Sequence, residues 1–79
     1  MQELNLLQQL TMEITEQRKK RSLSIKKLAK IADISETTIR KIETGNYNFN
    51  IETLWKLCKA FKMRPCDLVK KATQKNRHP

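Results

Sequence analysis

The chain has 79 residues, 38% of them hydrophobic, and 17 Lys and Arg against 8 Asp and Glu give a net charge of +9. This length sets one small domain that buries only about 60% of its unfolded surface, so the core is modest and association with a second copy adds useful stability. Two cysteines, no basic-then-apolar segment at the start, and apolar runs far below the roughly 18 residues of a membrane span do not suggest a secreted disulfide scaffold or a membrane protein, and neither is expected.

A cytoplasmic protein with reduced thiols is expected, and Cys58 falls where a helix buries a small apolar residue. The positive charge is concentrated. Residues 1–17 carry Glu3, Glu13 and Glu16 and no Lys or Arg, whereas all seventeen basic residues follow from Arg18 onward, leaving that segment at +12. Such a surface attracts polyanions, although a well-solvated Lys-rich face explains the charge equally well.

Leu4, Leu7, Leu10 (or Thr11) and Ile14 recur at helical spacing, with Leu6 and Met12 broadening the stripe, and predict a first helix from about Gln2 to Lys20. Its N-terminal leucines, in an extension over residues 1–11, either cap the domain's own core or pack against a second subunit. Two short amphipathic helices follow, joined by a tight turn. Ile25, Leu28 and Ala29 (or Ala32) mark the inner face of one, and Ile34, Ile39 and Ile42 that of the next. Ser24 begins the first, Ser35 caps the second, and Gly45 follows its last apolar turn as a C-cap.

Asn46 to Asn50 read as a polar loop rich in turn-forming asparagine. Asn50 caps a fourth helix, Ile51 to Phe61, whose predicted buried face is Ile51, Leu54, Leu57, Cys58 and Phe61. Pro65 suits the first position of a short fifth helix, with Asp67 in its first turn and Leu68 and Val69 facing inward. From Lys70 the chain is polar and basic without apolar periodicity, so the domain is expected over residues 1–70 and a basic flexible tail over 71–79. With no strand-like alternation and no repeat, the fold class is all-α.

The outward side of the third helix offers Glu36, Thr37, Arg40 and Lys41, polar side chains suited to base edges and phosphates. Arg18 precedes the motif with Leu23-Ser24, Leu28-Ala29 and Ser35-x-x-x-Ile39-x-x-Ile42-Glu43-x-Gly45, and Ile51-Glu52-Thr53-Leu54 and Asp67-Leu68 follow it. This series, over roughly Met12 to Val69, resembles the Cro/C1-type (XRE) helix-turn-helix regulators. The resemblance implies a compact five-helix, lambda-repressor-like DNA-binding domain with the helix-turn-helix at helices 2 and 3. It implies a double-stranded DNA partner and a regulator of transcription, with repression through an inverted-repeat operator as the expected mode.

Carried over residue by residue, the base-reading positions are Glu36, Thr37 and Lys41, with Arg40 at the edge of the face. Lys41 can donate to guanine O6 or N7, and Thr37 can meet a thymine methyl. Glu36 either accepts from cytosine N4 or only stabilises the helix start through the dipole. The phosphate-binding positions are Ser24, Ile25, Lys26, Ser35, Thr38, Asn46 and Asn48. Ile25 stands where many relatives carry glutamine, so one polar contact is missing there and Lys26 substitutes. For Asn46 and Asn48 simple turn chemistry is nearly as good an explanation. Asp33 stands where the family has a turn glycine, a left-handed position that Asp tolerates, and Lys62 stands where a glycine C-cap is common. In the family, the positions of Arg18 and Glu43 form a structural ion pair tying the first helix to the reading helix.

Trp55 lies about 100° from the core line of the fourth helix. With Met63, Pro65 and Cys66 it makes a candidate homodimer interface, or it covers the core's edge within one chain. Two copies about 34 Å apart would read an approximate palindrome. No glycine-rich phosphate loop is present, and one histidine, His78, builds no nucleophile–base pair, so an enzyme is not expected. Cys58, Cys66 and His78 are too few for a metal site, and no cofactor is expected. The rival readings are an antitoxin, whose toxin or other protein partner would use the N-terminal leucines or the tail, and a protein-interaction module on the same scaffold. An RNA-binding bundle is weaker, for want of an aromatic stacking surface.

Overall fold

The computed structural model describes residues 5–45 and 50–74. Those residues form α1 (Leu6–Lys20), α2 (Ile25–Ala32), α3 (Glu36–Glu43), α4 (Ile51–Phe61) and α5 (Pro65–Gln74), with no strand among them. α1 packs most extensively against α5, α2 bridges α3 and α4, and α3 also leans on α1. Leu10, Ile14, Leu28, Ile39, Ile42, Leu57, Phe61 and Leu68 make the centre of the core, with Ala29, Ala32, Cys58 and Ala72 filling the close approaches between helices.

α1 begins four residues later than its apolar stripe suggests. Asn5 is extended and closes a capping box: its side chain accepts from the Gln8 N–H (2.8 Å), and the Gln8 side chain accepts from the Asn5 N–H (3.0 Å). That reciprocal pair satisfies two backbone donors and fixes the start at Leu6. Leu4 and the rest of residues 1–4 lie outside the described residues. Leu6 and Met12 do not join the core stripe and are 51% and 56% exposed. The inner face of α1 is instead completed by polar residues, Thr11, Glu13 and Gln17.

The other starts are capped as expected. Ser24 accepts from the Lys27 N–H (3.0 Å), Ser35 from Thr38 (3.1 Å) and Asn50 from Thr53 (2.7 Å). Asp33 and Lys62 both adopt the left-handed conformation, and Ser22, after α1, does so as well. At each of these ends a following N–H reaches back to the helix, as in Leu23 to Arg18 O (3.1 Å), Ile34 to Ala29 O (3.0 Å) and Met63 to Cys58 O (2.9 Å). This satisfies carbonyls that the last turn leaves without partners. Gly45, after α3, is also left-handed at φ 81°, and its own N–H bonds to Ile42 O (3.1 Å).

Two predicted faces need correction. Ile51 is not part of the buried side of α4: it is 81% exposed, one turn above the outward Trp55, and Thr53 is buried in the first turn instead. α5 does not end at Lys70, and residues 71–74 are its last turn rather than tail. Ala72, one turn after Leu68, is only 1% exposed and carries the buried face onward. Residues 75–79 lie outside the described residues.

Candidate nucleic-acid interface

The presented side of α3 follows from where its apolar residues must go. Ile39 and Ile42 are fully buried, and this rotates Thr37, Arg40 and Lys41 to the exposed side, with Glu36 partly exposed in the first turn. Glu36 Oε1 lies 3.4 Å from Arg40 Nη1. Lys41 forms no ion pair among the described residues. The four candidate base-reading residues therefore share one side of one helix, and none is covered by another part of the described chain.

The α2–α3 turn sets that side at a fixed angle. Ser35, besides accepting from the Thr38 N–H, donates its hydroxyl to Thr38 Oγ1 (2.8 Å). The other end of α3 is clamped to α1. Arg18 Nε donates to Glu43 Oε2 (2.7 Å) and Arg18 Nη2 to Glu43 Oε1 (3.0 Å), a bidentate pair whose side chains are only 13% and 11% exposed. Arg18 Nη1 also donates to the Leu23 carbonyl (2.8 Å), so one guanidinium ties α1 to α3 and to the turn before α2. The hydrogen bond that Arg18 donates to Glu43 holds the Arg18 pKa above its ordinary value. Both groups are engaged with each other and largely withdrawn from solvent.

The phosphate candidates divide. Ser24 is exposed, with its hydroxyl used as the α2 cap, and Lys26 is exposed beside it. Ile25 is half-buried against the core and has no polar side-chain atom to offer a phosphate, so only its backbone N–H could serve there. Ser35 is exposed and Thr38 half-buried, both on the turn leading into α3. Asn46 and Asn48 lie outside the described residues. Of the candidate dimer residues, Trp55 (54% exposed) and Cys66 are exposed, whereas Met63 and Pro65 are half-buried, Met63 against the core.

A polar network escaped the sequence reading. Gln17 Nε2 donates to Glu13 Oε2 (2.6 Å), Arg21 Nη1 donates to Gln17 Oε1, and Arg21 Nη2 donates to the Phe61 carbonyl (2.8 Å). The Arg21 guanidinium also lies over the Phe61 ring, 5.1 Å from its centroid. These contacts lock the end of α1 to the end of α4. The i, i+4 spacing of Glu13, Gln17 and Arg21 was the available signal. Cys58 and Cys66 are free thiols, and burial pushes the Cys58 thiol up to about 11, with a smaller contribution from Cys66. No helix among the described residues is long and apolar enough to cross a membrane.

Two short helices joined by a tight left-handed turn, the second presenting polar side chains and braced from behind, define a helix-turn-helix protein. The helix-turn-helix family model HTH_3 matches residues 14–68, and the chain belongs to that family. It is a DNA-binding helix-turn-helix regulator of the Cro/C1 type. Its fold is similar to that of the restriction-modification controller protein C.Esp1396I, with a TM-score of 0.82 and 21% identity over 91% of this chain and 95% of that one. The clp gene regulator ClgR from Corynebacterium glutamicum gives a TM-score of 0.85 at 20% identity, over 94% of this chain and 79% of that one. An HTH_3 family transcriptional regulator from Vibrio cholerae gives 0.79 at 25% identity, over 87% of this chain and 39% of that one. A comparison with curated protein sequences gave no match.

Proposed function

We propose that the chain is a sequence-specific transcriptional repressor of the cytoplasm that binds an inverted-repeat operator as a homodimer. One observation carries this reading: Glu36, Thr37, Arg40 and Lys41 stand together on the open side of α3, whose far end is held by the bidentate Arg18–Glu43 pair. A helix held in this way can enter the major groove, where each base pair shows a distinct donor and acceptor pattern. Lys26 and the exposed cap at Ser24, with Ser35 and Thr38, serve as phosphate contacts that set register. Trp55 and Cys66, with the half-buried Met63 and Pro65, supply the surface for a second copy.

Selection of bound duplexes from a random pool tests this proposal. The expected result is a short inverted repeat, bound with an affinity that falls about 10³–10⁵-fold between 50 and 200 mM salt for some 6–10 phosphate contacts per dimer. Recovery of no preferred sequence would instead favour the rival reading of a protein-interaction or toxin-neutralising module. That rival draws its support from Leu6 and Met12, large exposed apolar residues that precede the family-matched segment.

A further inference from the structure

Of the charged side chains on the open side of α3, Glu36 and Arg40 are coupled and Lys41 is not. Glu36 and Arg40 are separated by about 6 Å of helix rise, yet their charged ends converge to 3.4 Å. The pair is exposed, with Arg40 60% and Glu36 39% accessible, so it contributes little to holding the fold together. We propose that Glu36 and Arg40 read a single G·C base pair as one unit; this rests on α3 being the helix that enters the major groove.

The chemistry is one of matched patterns. Across the major groove a G·C pair shows two acceptors, guanine N7 and O6, and then one donor, cytosine N4. A guanidinium offers two parallel N–H donors, and a carboxylate tied beside it offers an acceptor. Donor–donor–acceptor meets acceptor–acceptor–donor. An A·T pair shows an acceptor, a donor and an acceptor, so Arg40 would face the adenine amino group and Glu36 the thymine O4, each meeting its own kind. The coupling also resolves the problem of a carboxylate in a groove lined by phosphates, because Arg40 stays beside it and offsets the repulsion. A guanidinium already oriented by Glu36 has less freedom to lose on binding. Thr37 and Lys41 are left to read neighbouring pairs.

The test measures the full chain on duplexes built from its selected site, with each base pair replaced in turn, for the unmodified protein, Glu36→Gln, Arg40→Lys and the double variant. The expected profile contains one G·C pair per half-site whose replacement or inversion weakens binding about ten- to a hundredfold. Glu36→Gln and Arg40→Lys each flatten the preference at that same pair and leave other positions unchanged. The double variant flattens it no further than one alone. Because Arg40→Lys keeps the charge, its salt dependence stays that of the unmodified protein, which separates base reading from phosphate attraction. Variants that flatten different base pairs, or none, overturn the inference while leaving the regulator reading intact. An unmodified protein that prefers no duplex overturns that reading, and the inference with it.

Discussion

Arg18 and Glu43 illustrate how one contact can matter for function without touching a ligand. Both side chains are largely withdrawn from water and satisfy each other in a bidentate geometry. Removing one partner strands the other in a poorly solvated place, a loss of about 3–5 kcal/mol for a buried pair. Glu43→Ala is therefore expected to lower the thermal midpoint by well over 5 °C for a domain of this size. Adding Arg18→Ala to it should cost much less than the sum of the single changes, and a double-mutant cycle of melting curves checks this. The pair was legible because both partners stand at positions the family resemblance marks. The Glu13–Gln17–Arg21 series was not, because polar residues at helical spacing read as a solvated face until their burial is seen.

The two thiols should behave oppositely. Cys66 is exposed in the single chain and should react with a small alkylating reagent in the folded monomer, with slower reaction once a second copy covers it, whereas buried Cys58 should react only on unfolding. With its folded pKa raised, Cys58 contributes stability that is complete below about 9 and lost as pH rises through about 11. Denaturant titrations of the unmodified protein should therefore weaken across that alkaline window more steeply than those of Cys58→Ala. Equal slopes would show that the thiol does not ionise differently on unfolding.

Helix ends were read unevenly, for identifiable reasons. Ser24, Ser35 and Asn50 are each followed by an amphipathic run and were plain in the sequence, whereas the Asn5–Gln8 box was hidden by an apolar stripe that continues past it to Leu4. Ala72 is too small to register as periodicity, and so the last turn of α5 reads as tail in the sequence. Ile51 fits the apolar pattern of α4 but sits at its first position, beyond the reach of the core. The left-handed ends carry their own prediction. Asp33 and Lys62 hold a conformation that costs a non-glycine residue roughly 1–2 kcal/mol. Asp33→Gly and Lys62→Gly should each stabilise the fold by about 0.5–1 kcal/mol, after allowing for the greater freedom of glycine when unfolded. Chemical denaturation measures this directly, and destabilisation by either change would show that the side chain makes a compensating contact.

Across the whole molecule, the five helices divide their tasks. α1, α4 and α5 build most of the core, and α2 with α3 forms the helix-turn-helix, the surface proposed to meet DNA. The fold and the motif were visible in the sequence because glycine, serine caps and buried isoleucines fall at the required spacings. The proposed dimer surface was not, because an exposed Trp55 looks the same in a sequence whether a second copy or water covers it. The division of tasks implies different consequences for two lysines. Lys41→Ala should relax base preference within a selected site, while Lys26→Ala should weaken all sequences alike and reduce the salt slope by about one.

The most direct measurement follows backbone amide signals of the full chain while its selected duplex is added. If α3 enters the groove, the largest changes fall on Thr37, Arg40 and Lys41, with a second set at Ser24 to Lys26 where α2 meets phosphate. Changes confined to α5 or to the first turns of α1, with α3 unmoved, would contradict the account.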